Sequence, residues 1–143
     1  MDLSIIGSSC DNWATDGKVK WSFANERDQF LKFLDDNNIK NVVFITTDTH
    51  FPSNIVLEQD FNHDGRKLLL HEFVSGPLNS GTFGPDPIDP TVNATYLYKE
   101  TGTFNFGYYK IQKESDGKVH FIAEVRGIEG ITRPGSHLDL KPD

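Results

Sequence analysis

The sequence holds a single cysteine, Cys10, among 143 residues, so no intrachain disulfide can form and no Cys-x-x-Cys metal site exists. It is short of positive charge: 14 Lys and Arg stand against 21 Asp and Glu, a formal charge of −7. That deficit argues against electrostatic capture of nucleic acid or of an anionic membrane surface. No stretch approaches the ~20 apolar residues of a membrane-spanning helix. No basic-then-apolar leader opens this chain, so no signal peptide is expected in it. Internal repeats and low-complexity tracts are missing. So are Gly-x-Gly-x-x-Gly and the phosphate-cradling P-loop. Ser75-Gly76-Pro77 and Ser80-Gly81 do not make a nucleophile elbow, because no helix is expected after either.

What is present is apolar and aromatic. Hydrophobic residues make up 36% and aromatic residues 12%, too much for a disordered chain. Eleven Phe, four Tyr and two Trp need somewhere to pack. A chain of this length buries roughly two thirds of its unfolded surface, enough for a core. The sequence therefore reads as one acidic domain over residues 1–143, with a polar tail over 133–143 expected to fray.

Met1–Gly7, apolar at Leu3, Ile5 and Ile6, reads as a strand or the tail of one, and Ser8–Trp21 as a loop. Ser22–Asn38 reads as a helix. Ser22 caps it, Glu26 suits its first turn, and Phe23, Phe30, Leu31 and Leu34 form an apolar stripe. Asp35 and Asp36 oppose the dipole at roughly 0.5 kcal/mol each if exposed. Asn37 and Asn38 can close the helix in a left-handed turn. Asn41–Thr46 follows as a β-branched and aromatic run, expected to be a strand covered on both faces. Helix and strand make the second half of a βαβ unit, completed if Leu3–Ile6 is its first strand. Two antiparallel hairpins are expected after it. One joins Asn54–Gln59 to Leu68–Val74, and the other joins Phe104–Gln112 to Val119–Arg126 through Ser115-Asp116-Gly117. Gly76–Pro90, with four Pro and three Gly, is irregular.

The sharpest candidate for chemistry is Thr46-Thr47-Asp48-Thr49-His50. Asp48 and His50 fall just past the carboxyl end of the expected strand, where ligands bind in open α/β sheets. A carboxylate suits hard cations and an imidazole suits transition metals, so the pair can reach one metal or one phosphate. The plainer reading is a loop aspartate capping nearby N–H groups beside a partly exposed histidine. Asp60-Phe61-Asn62-His63-Asp64-Gly65 copies the start of an EF-hand loop, but its twelfth position is His71, with Glu72 one place late. An acidic hairpin loop is the better reading there. His63, His71, His120 and His137 show no ligand spacing, and Cys10 reads as a small buried hydrophobe. Arg27 and Arg126 could reach a phosphate, although solvated surface is the simpler role.

In order along the chain, Asp11-Asn12-Trp13, Ala24-Asn25-Glu26-Arg27, Phe30-Leu31, Asn41-Val42-Val43-Phe44-Ile45, Asp48-Thr49-His50, Glu72-Phe73-Val74-Ser75-Gly76-Pro77 and Gly102-Thr103-Phe104-Asn105-Phe106-Gly107 form a series. The series resembles the C-terminal half of the catalytic domain of the alkaline phosphatase D family of metallophosphoesterases, from about Asp11 to about Gly130. The resemblance implies an α/β fold, part of a two-sheet α/β/β/α sandwich with an N-terminal β-α-β unit followed by antiparallel hairpins. It implies phosphomonoesterase or phosphodiesterase activity on a phosphate ester, with iron and calcium as cofactors. It matches Asp48 to a metal ligand and His50 to a ligand or a donor to the phosphate. It also implies export to the periplasm, the cell surface or the medium. Two departures stand out. Thr47 occupies the place of a glycine, and a β-branched residue resists positive φ. The family's further ligands lie upstream of everything here. The chain alone is therefore expected to bind metal weakly and hydrolyse little, and to form a homodimer or pair with a complementing N-terminal half. The competing expectation is a non-catalytic β-rich binding or assembly module.

Overall fold

The computed structural model describes residues 24–88 and 91–142. The expected strand at Leu3–Ile6, the Ser22 cap and Cys10 lie outside the described residues. Helix α1 spans Ala24–Asp36 and is followed by β1 (Val42–Thr46), β2 (Ser53–Gln59) and β3 (Leu68–Val74). Then come β4 (Ala94–Lys99), β5 (Asn105–Lys113), β6 (Val119–Gly127) and β7 (Leu138–Leu140). The first four strands form one sheet in the order β1-β3-β2-β4, and the last three form a second in the order β5-β6-β7.

Period-two alternation sorts the first sheet into two faces. Val42 and Phe44 of β1, Ile55 and Leu57 of β2, Leu68 and Leu70 of β3, and Ala94 and Tyr96 of β4 gather with Leu31 and Leu34 of α1 in one core. Leu31, Leu57 and Leu70 are fully buried there. Phe33, one step round the helix, faces solvent at 53% exposure, so the apolar stripe is narrow. The opposite face meets the second sheet through Phe73, whose ring lies 6.1 Å from Tyr109 and 5.6 Å from Phe121. The order is thus helix, mixed sheet, antiparallel sheet. Parallel pairing occurs between β1 and β3, while β2 pairs antiparallel with both β3 and β4.

Both expected hairpins form, with β2 against β3 and β5 against β6. Three features differ from expectation. First, β1 is an edge strand of its sheet among the described residues, and Ile45 is 54% exposed, so the apolar run Val42–Ile45 is covered on the helix side more than on the other. Second, β4 is an additional strand, pairing with β2 through Leu57↔Ala94 and Ile55↔Tyr96. Third, the tail from residue 133 is held in place. Leu138 and Leu140 pair with Ala123 and Phe121, and the buried Ser136 hydroxyl accepts from the Val125 N–H at 3.1 Å.

Asp35 is 3% exposed instead of standing free against the dipole. Asn62 donates to its Oδ2 at 3.0 Å, and the Arg66 guanidinium lies 3.4 Å from its Oδ1. The β2–β3 loop therefore neutralises the charge that the helix C-terminus disfavours.

Candidate functional site

The site begins where β1 stops. The Thr46 hydroxyl, buried, donates to Glu72 Oε1 at 2.9 Å, and Ser75 N–H donates to the Thr46 carbonyl at 3.2 Å. These bonds carry the β1–β3 pairing one residue past the strands. Thr47 then donates through its hydroxyl to the Ser75 carbonyl at 2.9 Å. After it the chain turns sharply: φ is 81° at Asp48 and 63° at His50. Thr47 is spared the left-handed conformation that its β-carbon resists. The conformation falls on Asp48 and His50, residue types that adopt it more readily, at a cost on the order of 1–2 kcal/mol each. Between them Thr49 is buried, and its hydroxyl donates to the Phe51 carbonyl at 2.9 Å.

Asp48 is exposed beyond the strand end, while His50 is only partly exposed and is held by the loop that follows β3. Its Nδ1 lies 2.6 Å from the Gly81 carbonyl oxygen, and its own carbonyl accepts from the Phe83 N–H at 3.1 Å. The imidazole packs at 5.1 Å on the Phe83 ring. A carbonyl oxygen can only accept, so Nδ1 carries the proton. In the neutral ring Nε2 then keeps its lone pair, the tautomer that metal-ligating histidines adopt when a carbonyl binds the other nitrogen. The loop is kept close to this turn by Gly84, at φ +61°, where an added Cβ would sit 2.2 Å from the Phe51 ring.

Most of the remaining candidates make contacts of their own. In the EF-hand-like loop the Asp60 carboxylate accepts from the N–H groups of Asp64 and Gly65, and Asp64 accepts from Arg66 N–H. These bonds make a self-capped hairpin loop. Arg27, against the expectation of solvated surface, is 1% exposed, with its guanidinium 2.7 Å from Asp28. Arg126 stacks 3.7 Å over the Tyr108 ring and pairs with Glu124 at 2.7 Å. His71 stacks on Phe73, and burial pushes its pKa down. His120 is buried between Asp116 and Asp139. His137 lies 3.1 Å from Glu124. Among the described residues, no group of three or more His, Cys, Asp or Glu side chains is placed to hold a metal ion. None of their helices is long and apolar enough to cross a membrane.

Among known proteins, the family model described as PhoD-like phosphatase matches residues 7–121. The chain belongs to the PhoD-like phosphatase family. It is 25% identical over 138 residues to the alkaline phosphatase D of Bacillus subtilis (strain 168), an alignment covering 93% of this chain and 21% of that protein. The chain thus spans about a fifth of the length of the curated relative it matches. No solved structure matches it.

Proposed function

We propose that this chain carries part of a metal-dependent phosphoesterase centre, with Asp48 and His50 as metal ligands and His50 as the residue nearest the chemistry. The reading takes residues 1–143 as one unit, the C-terminal part of a PhoD-like domain of α/β/β/α type, in an exported protein that acts on a phosphate ester. The observation that carries it is the His50 ring. Its Nδ1 is engaged by Gly81 O, and it stands two residues from an exposed carboxylate at a strand's carboxyl end.

The donor set fits the cations that the family resemblance implies. Carboxylate oxygen suits calcium, and oxygen with imidazole nitrogen suits iron. Two donors are a partial set, since calcium alone takes about 6–8 oxygens. When bound, such ions supply positive charge for the ester and lower the pKa of a water. The chain's own residues hold and orient. Asp48 and His50 grip, Gly81 O fixes the tautomer, and Phe83 fixes the ring plane.

The test is hydrolysis of a nitrophenyl phosphodiester with added iron and calcium, alongside metal titration of Asp48→Asn. The chain alone should turn over little, and Asp48→Asn should lose metal. Ordinary enzymatic turnover by the isolated chain, or unaltered metal affinity in Asp48→Asn, defeats the reading.

One observation favours the assembly reading beside it. A cleft of about 540 Å³ opens between the sheets, lined among others by Val43, Ile45, Leu69, Ile111, Val119 and Phe121. Ile45, Leu69, Ile111 and Val119 are 41–72% exposed. Apolar surface of this kind favours association with a second copy or a complementing polypeptide. Light scattering that shows a clean monomer at high concentration would count against it.

A further inference from the structure

We propose that Asn105, on the second sheet, is a positioning residue for the Asp48–His50 turn on the first; the inference rests on the reading of that turn as a metal site. Asn105 opens β5 and is fully buried. Its backbone pairs with Gly127 within the second sheet, but its side chain reaches the segment that leaves β3. Oδ1 accepts the Gly76 N–H at 2.8 Å, and Nδ2 donates to the Gly76 carbonyl at 3.0 Å and to the Thr103 carbonyl at 3.2 Å. The Asn105 backbone N–H adds a bond to the Pro77 carbonyl at 2.9 Å. The planar side-chain amide thus treats Gly76 as a strand would, engaging both of its peptide groups, and spends both Nδ2 protons.

Two routes lead from this joint to the candidate ligands. In the first, Gly76 adjoins Ser75, whose carbonyl accepts a hydrogen bond from the Thr47 hydroxyl, and Thr47 immediately precedes Asp48. Gly76 sits at φ +104° with its absent Cβ 3.3 Å from Thr47 Oγ1, so the contact depends on glycine in that conformation. In the second, Gly76-Pro77 is the root of the loop whose Gly81 carbonyl accepts the His50 Nδ1 hydrogen bond. One buried amide therefore sets the base of both the carboxylate's turn and the imidazole's acceptor. Aspartate there would set a carboxylate against the Gly76 and Thr103 carbonyls. Alanine would strand both peptide groups of Gly76.

The experiment uses the 143-residue chain labelled with 15N, and compares Asn105→Ala, Asn105→Asp and Gly76→Ala with Leu57→Val. Leu57 is a fully buried residue on the helix-facing side of the first sheet and makes none of these bonds. Two signals are read: the His50 ring nitrogens without metal, and the broadening of His50 and Asp48 resonances on titration with Mn2+ alone. The Asn105 variants should move His50 away from the Nδ1-protonated tautomer and weaken Mn2+ broadening about tenfold. Leu57→Val, whatever its melting temperature, should do neither. If Asn105→Ala fails to fold, Gly76→Ala strains the same joint from its other side and must give the same pair of changes. Ring nitrogens that match those of Leu57→Val in every folded joint variant overturn the positioning role. A wild-type chain whose His50 and Asp48 ignore Mn2+, while the tautomer still follows Asn105, overturns the metal reading and leaves the positioning standing.

Discussion

Two histidines at opposite ends of the molecule use their rings in contrary ways. His50, past the carboxyl end of β1, has Nδ1 on one backbone carbonyl and its face on Phe83. His120, on β6 near the β5–β6 turn, is 4% exposed, with Nδ1 2.8 Å from Asp139 and Nε2 3.1 Å from Asp116. Both nitrogens of His120 face carboxylates, which favour the doubly protonated ring, so neither nitrogen is left to offer a ligand. The two aspartates bind opposite edges of the ring and so cannot share one cation with it. The same residue type thus serves as a clasp at one end and as an available donor at the other. Burial alone does not separate the roles; the number of ring nitrogens already satisfied does.

The comparison breaks most forcefully at Gly84. A methyl group there would lie 2.2 Å from the Phe51 ring, itself 2% exposed, at a φ of +61°. Gly84→Ala should cost about 2–3 kcal/mol from overpacking and strain together. It should also shift the His50 resonances, because Phe83 and Gly81 belong to the same loop. Denaturant unfolding with side-chain NMR checks both. A stable variant with unmoved His50 signals would show that this loop does not set the ring.

The next effect belongs to His120 and is read against pH. Asp139 first, then Asp116, hold its pKa above the ordinary histidine value. The Lys118 backbone N–H, Lys141 and His120 itself hold the Asp116 carboxyl far below the usual carboxylate range. A raised histidine pKa contributes stability that is complete below the unfolded value of about 6.5 and disappears as pH climbs through the folded value. The lowered Asp116 contributes stability present above its unfolded value of about 3.9 and lost as pH falls through its folded one. The clasp is therefore strongest in the mildly acidic range. Melting curves from pH 5.5 to 9 should show wild type losing stability at the alkaline end, with His120→Gln much flatter. Parallel curves would mean that the two carboxylates do not act through the ring.

The parts of this molecule that follow a local period could be read from the residues alone. Leu31 and Leu34 mark the buried side of α1, and alternation marks the two hairpins. Asp48 and His50 could be singled out because a strand's carboxyl end is a position defined along the chain. β4 escapes a local reading although Tyr96 alternates with Thr95 and Leu97, because it follows a proline-rich stretch and turns Leu97 outward. The short β7 depends on Ser136 meeting Val125, a contact no local pattern announces. Val42–Ile45 reads as two-sided because composition cannot tell a face that packs on a helix from a face that opens on a cleft. The tautomer of His50 and the grip of Asn105 rest on partners 31 and 29 residues away in sequence. Spacing along a chain holds no information about which loop folds back onto which strand end.

The smallest effect on stability sharpens the contrast furthest. His50 is partly exposed, and its ring makes one hydrogen bond and one ring contact. His50→Ala should therefore cost only about 1 kcal/mol, the net worth of one such bond. The same substitution removes the nitrogen proposed to hold metal, so Mn2+ broadening at Asp48 should fall steeply. His120→Gln should do the reverse, lowering stability below neutral pH while leaving the Mn2+ response at Asp48 unchanged. A large stability loss in His50→Ala with metal response intact would make His50 a second clasp and erase the difference between the two ends. The expected crossing of the two readouts separates a ring held ready for a ligand from a ring consumed by the fold.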